Sequence, residues 1–235
     1  MEREIHTSME IFGAPGVGKT TFIRKNGWIS SHDEYHKALD NLIKDEFKKK
    51  IFIAPPRNIV RMFRDVIRNR YDEQAIKDFG SRHKEFLDIC VFIIFNSPVS
   101  AERKVECYKF FINAILSWWL VKDRAGMVWD ESFAKVVLYS CGMKPDFSDN
   151  YFRDIVRVMP KRGRYILLDG EPVQGVAGQI KRGKFDAKLS TKEKNEKLKS
   201  AEKYRSVANK LSYELLNFGC LVEKQISSIT CDVET

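Results

Sequence analysis

Gly13-Ala14-Pro15-Gly16-Val17-Gly18-Lys19-Thr20 follows the pattern G-x-x-x-x-G-K-[ST], and both flanks suit it. Before it, Met9, Ile11 and Phe12 read as the end of a buried strand. After it, Thr20-Thr21-Phe22-Ile23-Arg24-Lys25 reads as the first turns of a helix. Strand, glycine-rich turn and helix in that order make a cradle for phosphate. The glycines lack Cβ atoms, so backbone N–H groups from Gly13 to Thr21 close around the anion, and the helix adds the positive end of its dipole. Lys19 is expected to reach the β- and γ-phosphates of a nucleoside triphosphate, with the Thr20 hydroxyl on Mg²⁺. ATP and Mg²⁺ are the cofactors this stretch implies.

Composition bounds the rest. The chain has 235 residues, 43% of them hydrophobic, enough to bury a full core, and no break in composition divides 1–235 into two domains. The most apolar segment, Phe110 to Val121, is interrupted by Asn113 and Ser117 and falls short of the roughly 18 apolar residues of a membrane span. Met1-Glu2-Arg3-Glu4 lacks the basic-then-apolar order of a secretion signal. Cys90, Cys107, Cys141, Cys220 and Cys231 are scattered and contain no C-x-x-C pair. That argues for reduced thiols and a cytoplasmic location, against a disulfide framework or a zinc site. A net charge of +9 favours a polyanionic partner, either a nucleotide or a nucleic acid. A homodimer is compatible with the sequence.

Short apolar runs alternate with longer helical stretches, which predicts an α/β sheet with helices on both faces. Strands are expected near Met9 to Phe12, Ile51 to Ala54, Met127 to Trp129, Tyr165 to Leu168 and Cys220 to Val222. Helical patterns run from about Ile59 to Arg70, Glu73 to Phe95 and Ala101 to Leu120. This helical region, about 57–122, is where an acceptor pocket is expected, with Arg57 and Arg61 as candidate phosphate contacts.

The run Met127-Val128-Trp129 delivers Asp130-Glu131 to the carboxyl end of a strand, where a carboxylate faces a phosphate loop on the neighbouring strand. Phosphoryl transfer needs a metal shell and, for some acceptors, a base. Asp130 suits either task, with Glu131 as its competitor. Further on, Gln179-Ile180-Lys181-Arg182-Gly183-Lys184 is basic and contains a glycine. Arg182 is the candidate for a guanidinium that folds over the transferred phosphate. From Lys181 to Lys210 lysines recur with Glu193, Glu196 and Glu202 among them, which reads as a solvated helix face or a surface that meets phosphates.

Taken in chain order, these stretches resemble the P-loop kinases that include thymidylate and deoxynucleoside kinases, and most nearly the thymidylate-kinase-like P-loop NTPases. The residues that carry the resemblance are Gly13 to Thr20, Val128 to Phe133, and Leu167-Leu168-Asp169 leading to Lys181-Arg182-Gly183-Lys184. The resemblance implies a three-layer sandwich with a parallel sheet of order 2-3-1-4-5. It also implies transfer of the ATP γ-phosphate to a nucleotide-like acceptor across the carboxyl ends of the strands, under a basic lid at about 178–190. The acceptor classes it leaves open are a nucleoside, a nucleoside monophosphate and a modified base in DNA. The chain departs from the pattern twice: Glu131 stands where these kinases usually carry Arg, and Gln179 takes the place of one lid arginine.

Other patterns weigh less. His32 and His36 have helical i, i+4 spacing but no H-E-x-x-H order and no evident third ligand, so a surface helix is the expectation. Tyr108, Phe110, Phe111, Trp118 and Trp119 fit a core-facing helix. Asp130-Glu131 with Gly170-Glu171-Pro172-Val173-Gln174 loosely matches a helicase-type ATPase, but one domain leaves no room for a second motor domain. A nucleotide-gated binding protein is the third alternative.

Overall fold

The computed structural model describes residues 9–51, 57–130, 132–142, 149–181, 183 and 189–226; the side chains at 50–51, 57–59, 61–67, 149–151 and 181 lie outside that set. In chain order the elements are β1 (Met9–Phe12), α1 (Lys19–Lys25), β2 (Ile29–Ser30), α2 (Ser31–Ile51), α3 (Arg57–Asn96), α4 (Ala101–Val121) and β3 (Met127–Trp129). They continue with α5 (Phe133–Gly142), α6 (Asp149–Val158), β4 (Arg164–Asp169), α7 (Pro172–Lys181), α8 (Thr191–Asn217) and β5 (Leu221–Ile226). The sheet has 5 strands in the order β2-β3-β1-β4-β5, and every pairing is parallel. That is the 2-3-1-4-5 order expected above.

Strand alternation divides the core. Ile11, Val128, Ile166 and Leu168 face one side, where they meet Ile23 of α1 and Val17. Phe12, Trp129, Tyr165 and Leu167 face the other, where α2 to α6 and α8 build the larger core around Phe79, Phe86, Phe111 and Phe133. Helices therefore cover both faces, and the period of 2 in each strand is what assigns the residues. Among the described residues no helix is long and apolar enough to cross a membrane.

Two expectations change. Ile51 closes α2 instead of opening a strand, 52–54 lie outside the described residues, and the edge position is taken by the two residues Ile29–Ser30. The reason is spacing: Leu39, Ile43, Phe47 and Ile51 recur every four residues, so the stripe of α2 runs straight into the apolar run read as a strand. Likewise, the two helices expected on either side of Tyr71 are one element, whose non-helical point is His83 (φ −134°, ψ 40°). The aromatic helix is core: Phe111 and Trp118 are buried. The lysine-rich stretch opens α8 as an exposed helix with a capping box, in which Ser190 Oγ accepts from the Glu193 N–H and Glu193 Oε2 from the Ser190 N–H.

Candidate functional site

The 13–20 segment leaves the carboxyl end of the central strand β1 and turns into α1 through three residues of positive φ: Gly13 (146°), Gly16 (87°) and Gly18 (92°). Close contact also enforces glycine here. A Cβ at Gly13 would sit 2.3 Å from the Leu168 carbonyl oxygen, and one at Gly16 would sit 2.0 Å from that of Gly175. In return, Gly175 and Gly178 of α7 approach the carbonyls of Pro15 and Gly16, so α7 lies directly on the loop backbone. No side chain caps α1 at Gly18, and its first N–H groups have no intrahelical partner by geometry. The Lys19 ammonium folds back to donate to the carbonyls of Gly13 (2.9 Å) and Ala14 (3.1 Å).

Gly13, Pro15, Gly16, Gly18, Lys19 and Thr20 line a cavity of about 300 Å³ together with Asp130, Lys135, Tyr139 and Gln179. Ala14 and Val17 turn their side chains into the interior, and Thr21 is exposed on α1. Asp130 is 7% exposed. Its Oδ1 accepts from Ser30 Oγ (3.0 Å), Ser31 Oγ (3.2 Å) and the His32 N–H (3.3 Å), so the β2–α2 junction fixes the carboxylate. An anion in this cavity meets Lys19, Lys135 and the N-terminus of α1. A cation between that anion and the wall meets Asp130 and the Thr20 hydroxyl, an oxygen donor set suited to Mg²⁺. Glu131 and Arg182 lie outside the described residues, as do the side chains of Arg57 and Arg61, which the fold puts in the first two turns of α3.

Behind Asp130 is a buried pair that sequence reading did not single out. Glu10 of β1 is 1% exposed, and its Oε1 accepts the Ala134 N–H (2.8 Å) at the start of α5. The Arg162 guanidinium lies 3.9 Å over the Trp129 ring, next in sequence to Asp130. Burial raises the Glu10 carboxyl above its ordinary value, against the opposing charge of Arg162, and burial lowers Arg162. Together they hold 129 and 134, the two ends of the segment that carries Asp130. A second feature missed from sequence is the clamp on Asp169. Its carboxylate accepts from Arg205 Nε (2.8 Å) and pairs with Lys224 (2.9 Å), tying β4 to α8 and β5. Burial pushes this carboxyl up, but those two cations outweigh it and the net shift is down.

Of two more cavities, one adjoins the loop. This one, of about 550 Å³, shares Pro15, Tyr139 and Gln179 with the loop cavity and includes Arg103 and residues of α8 in its lining. The other, of about 130 Å³, is lined by His32, His36, Tyr35 and Arg68, among others, and shares no lining residue with the loop cavity. The Nε2 atoms of His32 and His36 are 3.2 Å apart, and among the described residues no group of three or more His, Cys, Asp or Glu is arranged to hold a metal. Neither a protein-family model nor a curated protein matches the sequence.

Proposed function

We propose that this chain is a P-loop phosphotransferase that uses Mg²⁺-ATP to phosphorylate a nucleotide-like acceptor. The observation that carries the reading is a single cavity lined both by the 13–20 loop, Lys19 included, and by the carboxylate of Asp130, the residue just past β3. The loop amides and Lys19 bind and orient the β- and γ-phosphates. Thr20 and Asp130 would hold a Mg²⁺ ion, whose chemistry there would be charge neutralisation. Asp130 would also take the proton from an acceptor hydroxyl. Lys135 and Gln179, which line the same cavity, would bracket the phosphate in transit. The resemblance to thymidylate-kinase-like NTPases, the sheet order and the glycine-enforced loop all support this reading.

A radiolabelled transfer assay against pooled nucleosides, nucleotides and DNA tests it, with Lys19→Ala as the decisive variant. Removing the cation that would span the two phosphates should lower turnover by a factor on the order of 10³, far more than the loss of its bonds to the Gly13 and Ala14 carbonyls lowers stability. Turnover within a few-fold of the unaltered protein, in a folded variant, refutes the assignment. Phosphate release without transfer, strongly stimulated by polynucleotide, would instead favour a motor ATPase.

A further inference from the structure

The larger flanking cleft carries information about the acceptor. It adjoins the loop cavity through Pro15, Tyr139 and Gln179, and its volume of about 550 Å³ suits a nucleotide, whereas the 130 Å³ cavity beside α2 does not. Beyond the shared residues, its lining includes three cations: Arg103 from the first turn of α4, and Lys197 and Lys203 from α8. Arg103 is pre-set there. Its Nη2 donates to Tyr204 Oη (3.0 Å), its Nη1 to Glu106 (2.8 Å), and its guanidinium lies 5.7 Å from the Tyr139 ring centroid. Tyr139 and Tyr204 meet at 5.3 Å, and Gly142 admits the Tyr204 ring, since a Cβ there would sit 2.6 Å from Tyr204 Cε1. The cleft thus pairs aromatic surface with fixed positive charge.

The position of that charge matters. If the acceptor's own phosphate were the attacking group, it would lie in the loop cavity beside Lys19 and Lys135. The cleft's cations, Arg103, Lys197 and Lys203, are not among the residues lining the loop cavity, whereas a carboxylate, Asp130, is. A phosphate dianion needs no base to attack, but a hydroxyl does.

Resting on the kinase reading above, we propose that this cleft is the acceptor site and that the acceptor is a nucleotide phosphorylated on a hydroxyl group, its existing phosphate held by Arg103, Lys197 and Lys203. The acceptor O–H bond breaks and its oxygen bonds to the γ-phosphorus. The bond from that phosphorus to the β–γ bridging oxygen breaks, ADP leaves, and Asp130 takes the proton and passes it to water. The product carries two separate phosphate esters, with no new anhydride. A free nucleotide and a nucleotide within a strand share this chemistry.

The experiment compares three acceptors with Mg²⁺-ATP: a mixture of nucleosides, the matching 5′-monophosphates, and single-stranded oligonucleotides. Products are read by ³¹P NMR, in which an anhydride shows phosphorus–phosphorus coupling and an ester does not. Transfer to one or both phosphorylated arms as an uncoupled ester is expected, the two arms separating free nucleotide from strand. Arg103→Gln and Lys203→Gln should each raise the acceptor KM about tenfold, one lost charge-assisted contact, and change the KM for ATP less than twofold. Nucleosides used as well as nucleotides, an anhydride product, or an acceptor KM unmoved by both variants would each overturn the proposal. ATP binding that depends on Lys19, with no uptake of either phosphorylated arm, also overturns it and leaves the phosphate-loop reading standing. Absence of Lys19-dependent ATP binding removes both.

Discussion

Arg162→Met isolates the buried brace behind Asp130. In the folded protein Glu10 is enclosed, its second carboxylate oxygen and the Arg162 Nε and Nη2 have no hydrogen-bond partner among the described residues, and the guanidinium covers Trp129 at 3.9 Å. Methionine keeps the apolar stem and removes the charge. Two losses follow, and they separate by pH. The first is the desolvated cation–π contact, worth about 2 kcal/mol at any pH. The second concerns Glu10, whose carboxyl already lies above its ordinary value of 4.5 because burial outweighs the pull of Arg162. A raised folded value means that the folded state holds the proton more tightly than the unfolded chain. Its contribution to stability is therefore present at low pH and lost as pH rises through the folded value. Without Arg162 that value climbs further, and the window of loss extends upward. Keeping the carboxyl protonated costs about 1.4 kcal/mol for each pH unit above 4.5, so the added penalty at pH 8 is bounded at about 5 kcal/mol. Urea unfolding of both proteins from pH 5 to pH 8 is the assay. The deficit of Arg162→Met should be about 2 kcal/mol at pH 5 and grow towards pH 8, within that bound. In Glu10→Gln/Arg162→Met the growth should vanish, because the titrating group is gone. Parallel stability curves for Arg162→Met and the unaltered protein, or equal growth in the double variant, would refute the reasoning.

Two further outcomes are expected. Asp130→Asn keeps the size of a carboxylate whose Oδ1 accepts from Ser30, Ser31 and the His32 N–H; nucleotide binding should persist while Mg²⁺-dependent transfer falls by a factor on the order of 10² to 10⁴. If Glu131→Gln abolishes transfer and Asp130→Asn does not, the two carboxylates have been assigned in the wrong order. Gly16→Ala puts a Cβ 2.0 Å from the Gly175 carbonyl oxygen at a φ of 87°, which should push α7 off the loop and cost about 2 kcal/mol or more. ATP affinity should fall with it in an equilibrium binding titration, and a variant with unchanged affinity and midpoint would show that α7 does not support the loop.

What was legible in the sequence is what neighbours along the chain decide. Three glycines, a lysine and a threonine between an apolar run and a helix-compatible stretch need no distant partner to be read, and Gly13 to Thr20 fold as their spacing implies. Met127 to Trp129 and Tyr165 to Leu168 are short enough, and bounded clearly enough, to be recognised as strands, and the first delivers Asp130 to the loop cavity. Failure begins where two periodicities overlap: Ile51 satisfies both the end of the α2 stripe and the start of an apolar run, and only packing separates them. The break at His83 is invisible for the opposite reason, since Phe79 and Phe86 stay on the core side across it and the pattern never lapses. The supports of the site were the least legible, because the sheet order itself creates them. Ser30 and Ser31 look like an unremarkable helix start until β2 pairs with β3 and sets them on Asp130. Glu10 reads as a solvent-facing strand residue until β1 is flanked by β3 and β4, which bring Trp129 and Tyr165 level with it and enclose the carboxylate. Gly175 and Gly178 read as poor helix formers, and their role appears only when α7 is laid across Pro15 and Gly16. The loop thus comes from one contiguous stretch, while the groups that hold it in place come from across the sheet.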